Sequence, residues 1–185
     1  MNWMKKVAVA LVCLLPLGLQ AAKVDTLQVK SPSMNKSIEV VVVSPDVAAM
    51  EACPVIYLLH GYGGNARTWV GIKPDLPKIA DEKGIFFVCP DGKNTWYWDS
   101  PLNADVRYET FISDELVKYV DSHYKTVADR KGRAITGLSM GGHGAMWNGL
   151  RHSDVFSAAG STSGGVDIRP YPKNWEMSVQ IGEKA

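Results

Sequence analysis

Ala134-Ile135-Thr136-Gly137-Leu138-Ser139-Met140-Gly141-Gly142-His143-Gly144-Ala145 is the stretch that decides the fold. Ala134 to Leu138 is a short apolar run that enters a glycine-rich turn, and Met140 to Arg151 reads as a helix. Strand, tight turn and helix therefore follow one another with no spacer. Glycines at 137 and 141 relieve the clash that side chains would cause in so sharp a turn. Gly142, Gly144 and Ala145 let the helix pack closely on the strand it leaves.

Two more apolar runs share this character, Val55 to Leu59 and Ile85 to Cys89. Continuous apolar runs indicate strands buried on both faces, as in a parallel sheet covered by helices. Leu27 to Ser31 and Ile38 to Val43 read as strands around a turn at Ser33-Met34-Asn35, with Pro45 ending the second. Tyr108, Phe111, Ile112, Leu116, Tyr119 and Val120 share one helical face. Pro74 to Lys83 is a shorter helix, stopped at Gly84. Alternating strands and helices from residue 55 onward give an α/β fold with a mostly parallel sheet and helices on both faces.

The chain has 185 residues, 46% hydrophobic and 21% charged, with a formal charge of +1. This balance belongs to a globular protein and excludes a disordered, collagen-like or polytopic membrane chain. It gives no electrostatic case for a nucleic-acid partner or for an anionic membrane. Lys5 and Lys6, the uncharged run Val7 to Leu19, and then Gln20-Ala21-Ala22 follow the plan of a secretory signal peptide over residues 1–22. The run is too short to span a bilayer comfortably. The expectation is export to the periplasm or medium, with no stable membrane insertion after cleavage. Removing residues 1–22 takes away two lysines, moves the formal charge from +1 to −1, and leaves Cys53 and Cys89 of three cysteines. In a parallel sheet these two lie at opposite ends, on the order of 15 Å apart, and so read as free thiols.

Gly137-Leu138-Ser139-Met140-Gly141 fits G-x-S-x-G in the strand–turn–helix context which that motif requires. The turn presents Ser139 Oγ at the carboxyl edge of the strands, with a helix N-terminus aimed at it. Acyl transfer at such a serine needs two N–H donors for the developing oxyanion. Met140 would supply one amide. His60-Gly61-Tyr62-Gly63-Gly64, after the 55–59 strand, would supply the other, at Tyr62. The order, with this loop about 75 residues before the serine, is the one such sites use.

The chain resembles the esterase D-type branch of the α/β-hydrolase superfamily, which includes S-formylglutathione hydrolases, feruloyl esterases and the antigen 85 mycolyltransferases. The residues that carry the resemblance are HGYGG at 60–64, PDG at 90–92, NTWYWDSP at 94–101, GLSMGGHGA at 137–145 and FSAAGSTSGG at 156–165. It covers about residue 26 to the end. The resemblance implies an α/β-hydrolase fold, Ser139 as nucleophile, Met140 and Tyr62 amides as oxyanion hole, ester or thioester substrates, and neither cofactor nor metal.

A serine nucleophile also needs a base held by an acid, in the order Ser, Asp or Glu, His. The last histidine is His152, thirteen residues after Ser139 at the end of the same helix. His60 is expected to shape the oxyanion loop, His143 to pack, His123 to sit at a helix end, and His152 to be exposed. Asp167 is a weak candidate for the acid. The expectation is therefore a C-terminally incomplete domain at 23–185, with the last strands, base and acid beyond residue 185. The strand near Phe156 to Gly160 would then be an open apolar edge. Residues after about 166 would lack regular structure.

Trp96 and Trp98, in Asn94-Thr95-Trp96-Tyr97-Trp98-Asp99-Ser100, would form a stacking wall for a sugar or aromatic acyl group, or else plug the loop from beneath. The functional expectation is an exported serine carboxylic-ester hydrolase acting through an acyl-enzyme on small-molecule or carbohydrate esters, such as acyl or feruloyl esters of polysaccharide. Three alternatives stand beside it. One is a non-catalytic remnant that keeps the binding surface, another is a glutathione-thioester hydrolase, and the third is a prolyl oligopeptidase-type peptidase without its propeller.

Overall fold

A computed structural model describes residues 22–171 and 173–182. The signal-peptide expectation for residues 1–22 therefore falls almost wholly outside the described residues. Six strands form one sheet: β1 (Lys23–Ser31), β2 (Lys36–Ser44), β3 (Val55–Leu59), β4 (Phe86–Pro90), β5 (Arg133–Gly137) and β6 (Ala158–Ala159). Their order across the sheet is β1-β2-β4-β3-β5-β6. The β1–β2 hairpin and the β2–β4 pair are antiparallel, while β4, β3, β5 and β6 run parallel. The mostly parallel α/β sheet is the one expected from the alternation of apolar runs and helices, and its α/β-hydrolase form is the one the family resemblance implies.

The side-chain period of two divides the core between the two faces. Val40, Val42, Tyr57, Leu59, Phe86, Val88 and Ile135 face one side. There they meet Phe111, Leu116 and Val120 of a helical segment, together with Met140 and Ala145. That segment runs from α3 (Tyr108–Thr110) through a π-helical turn (Phe111–Glu115) into α4 (Leu116–His123). Met140 and Ala145 belong to α5 (Met140–Arg151). Val41, Val43, Leu58, Phe87 and Cys89 face the other side, against Leu76 and Ala80 of α2 (Leu76–Lys83) and the residues around α1 (Thr68–Ile72). Both faces are buried, which is why the central strands read as unbroken apolar runs.

Gly84 ends α2 in the left-handed region, at φ 61°. Cys53 lies before β3 and Cys89 near the end of β4, and both are buried and free. Burial pushes the Cys89 thiol up to about 12.

Two expectations need correction. The edge beyond β5 is not an open apolar strand. β6 is two exposed alanines paired with Ala134 and Ile135. Phe156 instead turns inward, edge-on to Tyr57 at 5.6 Å between ring centroids. The edge is thus short and built of small residues, which gives little template for pairing. The segment after 166 is also not wholly irregular, since it contains α6 (Met177–Ile181). Long-range contacts replace a partner strand there. Met177 is only 1% exposed, Ser100 Oγ donates to the Gln180 carbonyl, and the Trp96 indole N–H donates to the Trp175 carbonyl at 3.1 Å. Met177→Ala is expected to abolish amide-exchange protection of residues 177–181 while leaving β3 and β5 protected, because it removes the buried anchor of that segment. Equal protection in the variant would show that the helix holds itself.

Candidate active site

The turn between β5 and α5 places Ser139 at φ 54° and ψ −115°, well outside the regions favoured by a residue with a side chain. Such a conformation costs on the order of 1–3 kcal/mol and lasts only where the surroundings over-determine it. Here they do. Ser139 N–H donates to Thr162 O at 2.9 Å, Leu138 N–H to Leu59 O at 3.1 Å, Gly141 N–H to Leu138 O at 2.8 Å and His143 N–H to Ser139 O at 3.0 Å. A Cβ on Gly137 would stand 2.3 Å from Gly141 O, and one on Gly141 would stand 2.2 Å from Leu59 O. No side chain fits at either position, so the strand–turn–helix reading is explained by backbone packed on backbone. Ser139 is exposed, and no hydrogen-bond partner engages its Oγ among the described residues.

The loop after β3 packs directly on this turn. A Cβ on Gly61 would touch Leu138 O at 3.3 Å and Ser139 Cβ at 3.5 Å. Gly63 N–H is spent on Asn94 Oδ1 at 2.9 Å, and Gly64 N–H on Gly61 O at 3.0 Å. The N–H groups of Tyr62 and Met140 have no partner among the described residues. His60 is buried beneath the loop. Its Nε2 accepts from Gly92 N–H at 2.9 Å, its Nδ1 side faces Gly61 O at 2.8 Å, and its carbonyl accepts from Tyr97 OH at 3.0 Å. It thus staples the 60–64 loop to the Pro90-Asp91-Gly92 turn, the shaping role read from sequence.

None of the four histidines is placed as a base for Ser139. His143 Nε2 accepts from Trp98 Nε1–H at 2.9 Å, and its Nδ1 lies 2.7 Å from Gly165 O, to which it donates as the neutral tautomer. His123 stacks on Tyr119 at 3.9 Å between centroids, at the end of α4. His152 is not freely exposed, because Nε2 lies 2.9 Å from Glu109 Oε1, beside the Arg151–Glu109 pair at 2.7 Å. Asp167 does not serve as an acid toward any of them. Its carboxylate is held by both Arg169 Nε and Nη2 at 2.8 Å, and this contact lowers its pKa to about 2.

The aromatic loop divides. Trp98, 2% exposed, lies under the site between Trp96, His143 and Trp147, so it is the plug rather than the wall. Trp96, 4% exposed, covers Trp98 at 5.7 Å in a near-parallel stack and still reaches a cavity of about 160 Å³ beside Ser139. Tyr62, Trp96, Ser139, Ser163, Gly165 and Trp175 line it. Larger cavities lie elsewhere, an apolar one of about 410 Å³ against Trp147 and Leu150 and a polar one of about 300 Å³ beside Glu39 and Asp91, but Ser139 lines neither. Sequence reasoning missed Trp175 and Ser163, which reach the site only through tertiary contacts. No cluster of three or more potential metal ligands occurs among the described residues.

Burial lowers the pKa of His143, partly opposed by its bond to Gly165 O. Protonating Nε2 would set two N–H groups against each other across the Trp98 contact. Below the ordinary histidine pKa of about 6.5, the unfolded chain then binds more protons than the folded one, so stability falls as pH falls. His143→Gln is expected to flatten the dependence of the urea midpoint on pH from about 6.5 to 5; an unchanged slope would remove His143 as its source.

The family described as "Putative esterase" matches residues 31–182. Esterase Rv1288 of Mycobacterium tuberculosis (strain ATCC 25618 / H37Rv) is 33% identical over 123 residues, covering 63% of this chain and 26% of that protein. The endo-1,4-beta-xylanase/feruloyl esterase of Xylanibacter ruminicola is 34% identical over 126 residues, covering 63% of this chain and 17% of that protein. A solved ferulic acid esterase superposes with a TM-score of 0.73 at 29% identity, covering 89% of this chain and 68% of that one. The chain thus spans only about a quarter or less of these two curated relatives. No helix among the described residues is long and apolar enough to cross a membrane. With the matched family running from the end of β1 through the oxyanion-type loop and the elbow, the chain belongs to the esterase family of the α/β-hydrolase superfamily.

Proposed function

We propose that Ser139 is the nucleophile of a serine carboxylic-ester hydrolase that works through an acyl-enzyme. Its Oγ attacks the ester carbonyl carbon, and the carbonyl oxygen takes up the negative charge. The unpartnered N–H groups of Met140 and Tyr62 are the two donors for that oxyanion, and the N-terminus of α5 adds its partial positive charge. Collapse of the tetrahedral intermediate expels the alcohol and leaves the acyl group on Oγ, for water to remove. Family membership supports ester hydrolysis. The observation that carries the role of Ser139 is its left-handed backbone, held by Leu59, Thr162 and glycines 137 and 141.

The proton of Ser139 needs an acceptor, and no histidine of the described residues supplies one. All four histidines are among the described residues, so in this reading the base is not part of residues 1–185. The xylanase/feruloyl esterase relative supports acyl or feruloyl esters of polysaccharide as the substrate class, and the basic-then-apolar pattern of residues 1–22 supports export. A second reading, ligand binding without turnover, is favoured by the engagement of both His143 nitrogens and by the distance of His152 along α5.

Where a base is supplied to Ser139, a fluorophosphonate probe is expected to add one phosphonyl group to it, seen by intact mass and peptide mapping, with none on Ser139→Ala. Equal labelling of the alanine variant sinks the assignment. Binding of an ester without any Ser139 adduct would select the second reading.

A further inference from the structure

One wall of the open cavity at Ser139 is built by a segment that arrives from far along the chain. Trp175 lines it and is half exposed, whereas Trp96, on the adjoining wall, is nearly buried. The Trp96 indole N–H donates to the Trp175 carbonyl at 3.1 Å, and the two rings lie 6.4 Å apart at 47°. Tyr171 packs on Trp175 at 6.0 Å. Two residues further on, Met177 is locked in the core, and Ser100 Oγ holds the Gln180 carbonyl. Between these anchors Trp175 and Glu176 both sit in the left-handed region, at φ 49° and 58°. Two consecutive non-glycine residues in that region are strained, and the anchors on either side hold them there. Across the mouth, the Tyr62 hydroxyl has its pKa raised by desolvation and by the Glu176 carboxylate, which places that acid beside the oxyanion-type loop.

We propose that Trp175 is a specificity-determining residue, whose indole caps the cavity at Ser139 and restricts the acyl group to a compact one. The inference rests on Ser139 as the reacting residue. The acyl group is the part of an ester that stays on Oγ, so the space around Oγ bounds its size. A volume of about 160 Å³ is close to that of a cavity that takes one benzene ring, roughly 150 Å³. It admits a short acyl chain or a single ring. A larger group that enters the cavity meets the Trp175 ring, whose backbone is tied to Trp96 Nε1–H.

The test uses a reaction that needs no histidine. Ser139→Cys, in a Cys13→Ser background, offers one accessible thiol, because Cys53 and Cys89 are buried. Its thiolate attacks the sulfenyl sulfur of a methanethiosulfonate, forming a disulfide and expelling methanesulfinate. Rates with a methyl and a biphenylmethyl reagent, each divided by its rate with free glutathione, are followed by intact mass. The methyl reagent is expected to be favoured by about tenfold or more in the parent, Trp175→Ala to lose most of that preference, and Trp175→Phe to keep it. Circular dichroism and the unchanged burial of Cys53 and Cys89 confirm that each variant is folded, and Trp175→Leu substitutes for an alanine variant that is not. A preference equal to within about twofold in parent and small variant overturns the proposal, as does failure of both reagents to modify the introduced thiol. Absence of a phosphonyl adduct on native Ser139 bears on the esterase reading alone, since the thiol assay reads size selection without it.

Discussion

The backbone at Ser139 depends on a contact with no room in it. Gly141 lies so close to Leu59 O that a methyl group there would overlap it, and Gly137 lies equally close to Gly141. This approach locks the first turn of α5 onto the end of β3, and the strained serine between them has nowhere to relax. The rest of the site follows. The loop after β3 starts at Leu59, so Gly61 and Tyr62 are carried against Ser139 by the same contact. His60 then ties that loop to the turn after β4 through Gly92. One close approach thus sets the relative position of three strand ends.

Beneath the site the polar and aromatic groups are satisfied by one another. Tyr97 fills the space between Gly92 and Gly144, where a Cβ on either glycine would meet its ring, and its hydroxyl finds the His60 carbonyl. Trp98 donates to His143, and His143 reaches Gly165 O, which belongs to the strand-exit segment that also lines the cavity. A buried histidine with both nitrogens occupied is a rigid spacer. It supports Trp96 from behind while contributing no basicity to the serine.

Much of this was legible in the residues. Val55 to Leu59 and Met140 to Arg151 have the boundaries read from hydrophobic pattern and turn glycines, because both elements owe their limits to local chemistry. The elbow was legible for the same reason. The failures share an opposite cause. The helix Thr68–Ile72 is five residues long, carries Gly71 and has no buried residue, so no periodicity marks it. The helix Met177–Ile181 exists through Met177 and contacts with Ser100 and Trp96, 79 or 80 positions away, which no local pattern encodes. Trp96 and Trp98 are adjacent in type and spacing, yet one reaches the cavity and the other supports it. Left-handed backbone at both Trp96 and Tyr97 turns the chain between them, and that conformation is set by packing against His143 and Gly144.

The two buried thiols bear on where such a fold is stable. Cys53 and Cys89 lie about five residue steps apart along neighbouring parallel strands, roughly 16 Å at the rise of a strand. They have no route to each other short of unfolding, and burial holds both in the protonated, unreactive form. Among the described residues no covalent bridge contributes to stability. The described fold therefore owes none of its stability to an oxidised pair of thiols, and noncovalent contacts alone hold its sheet together.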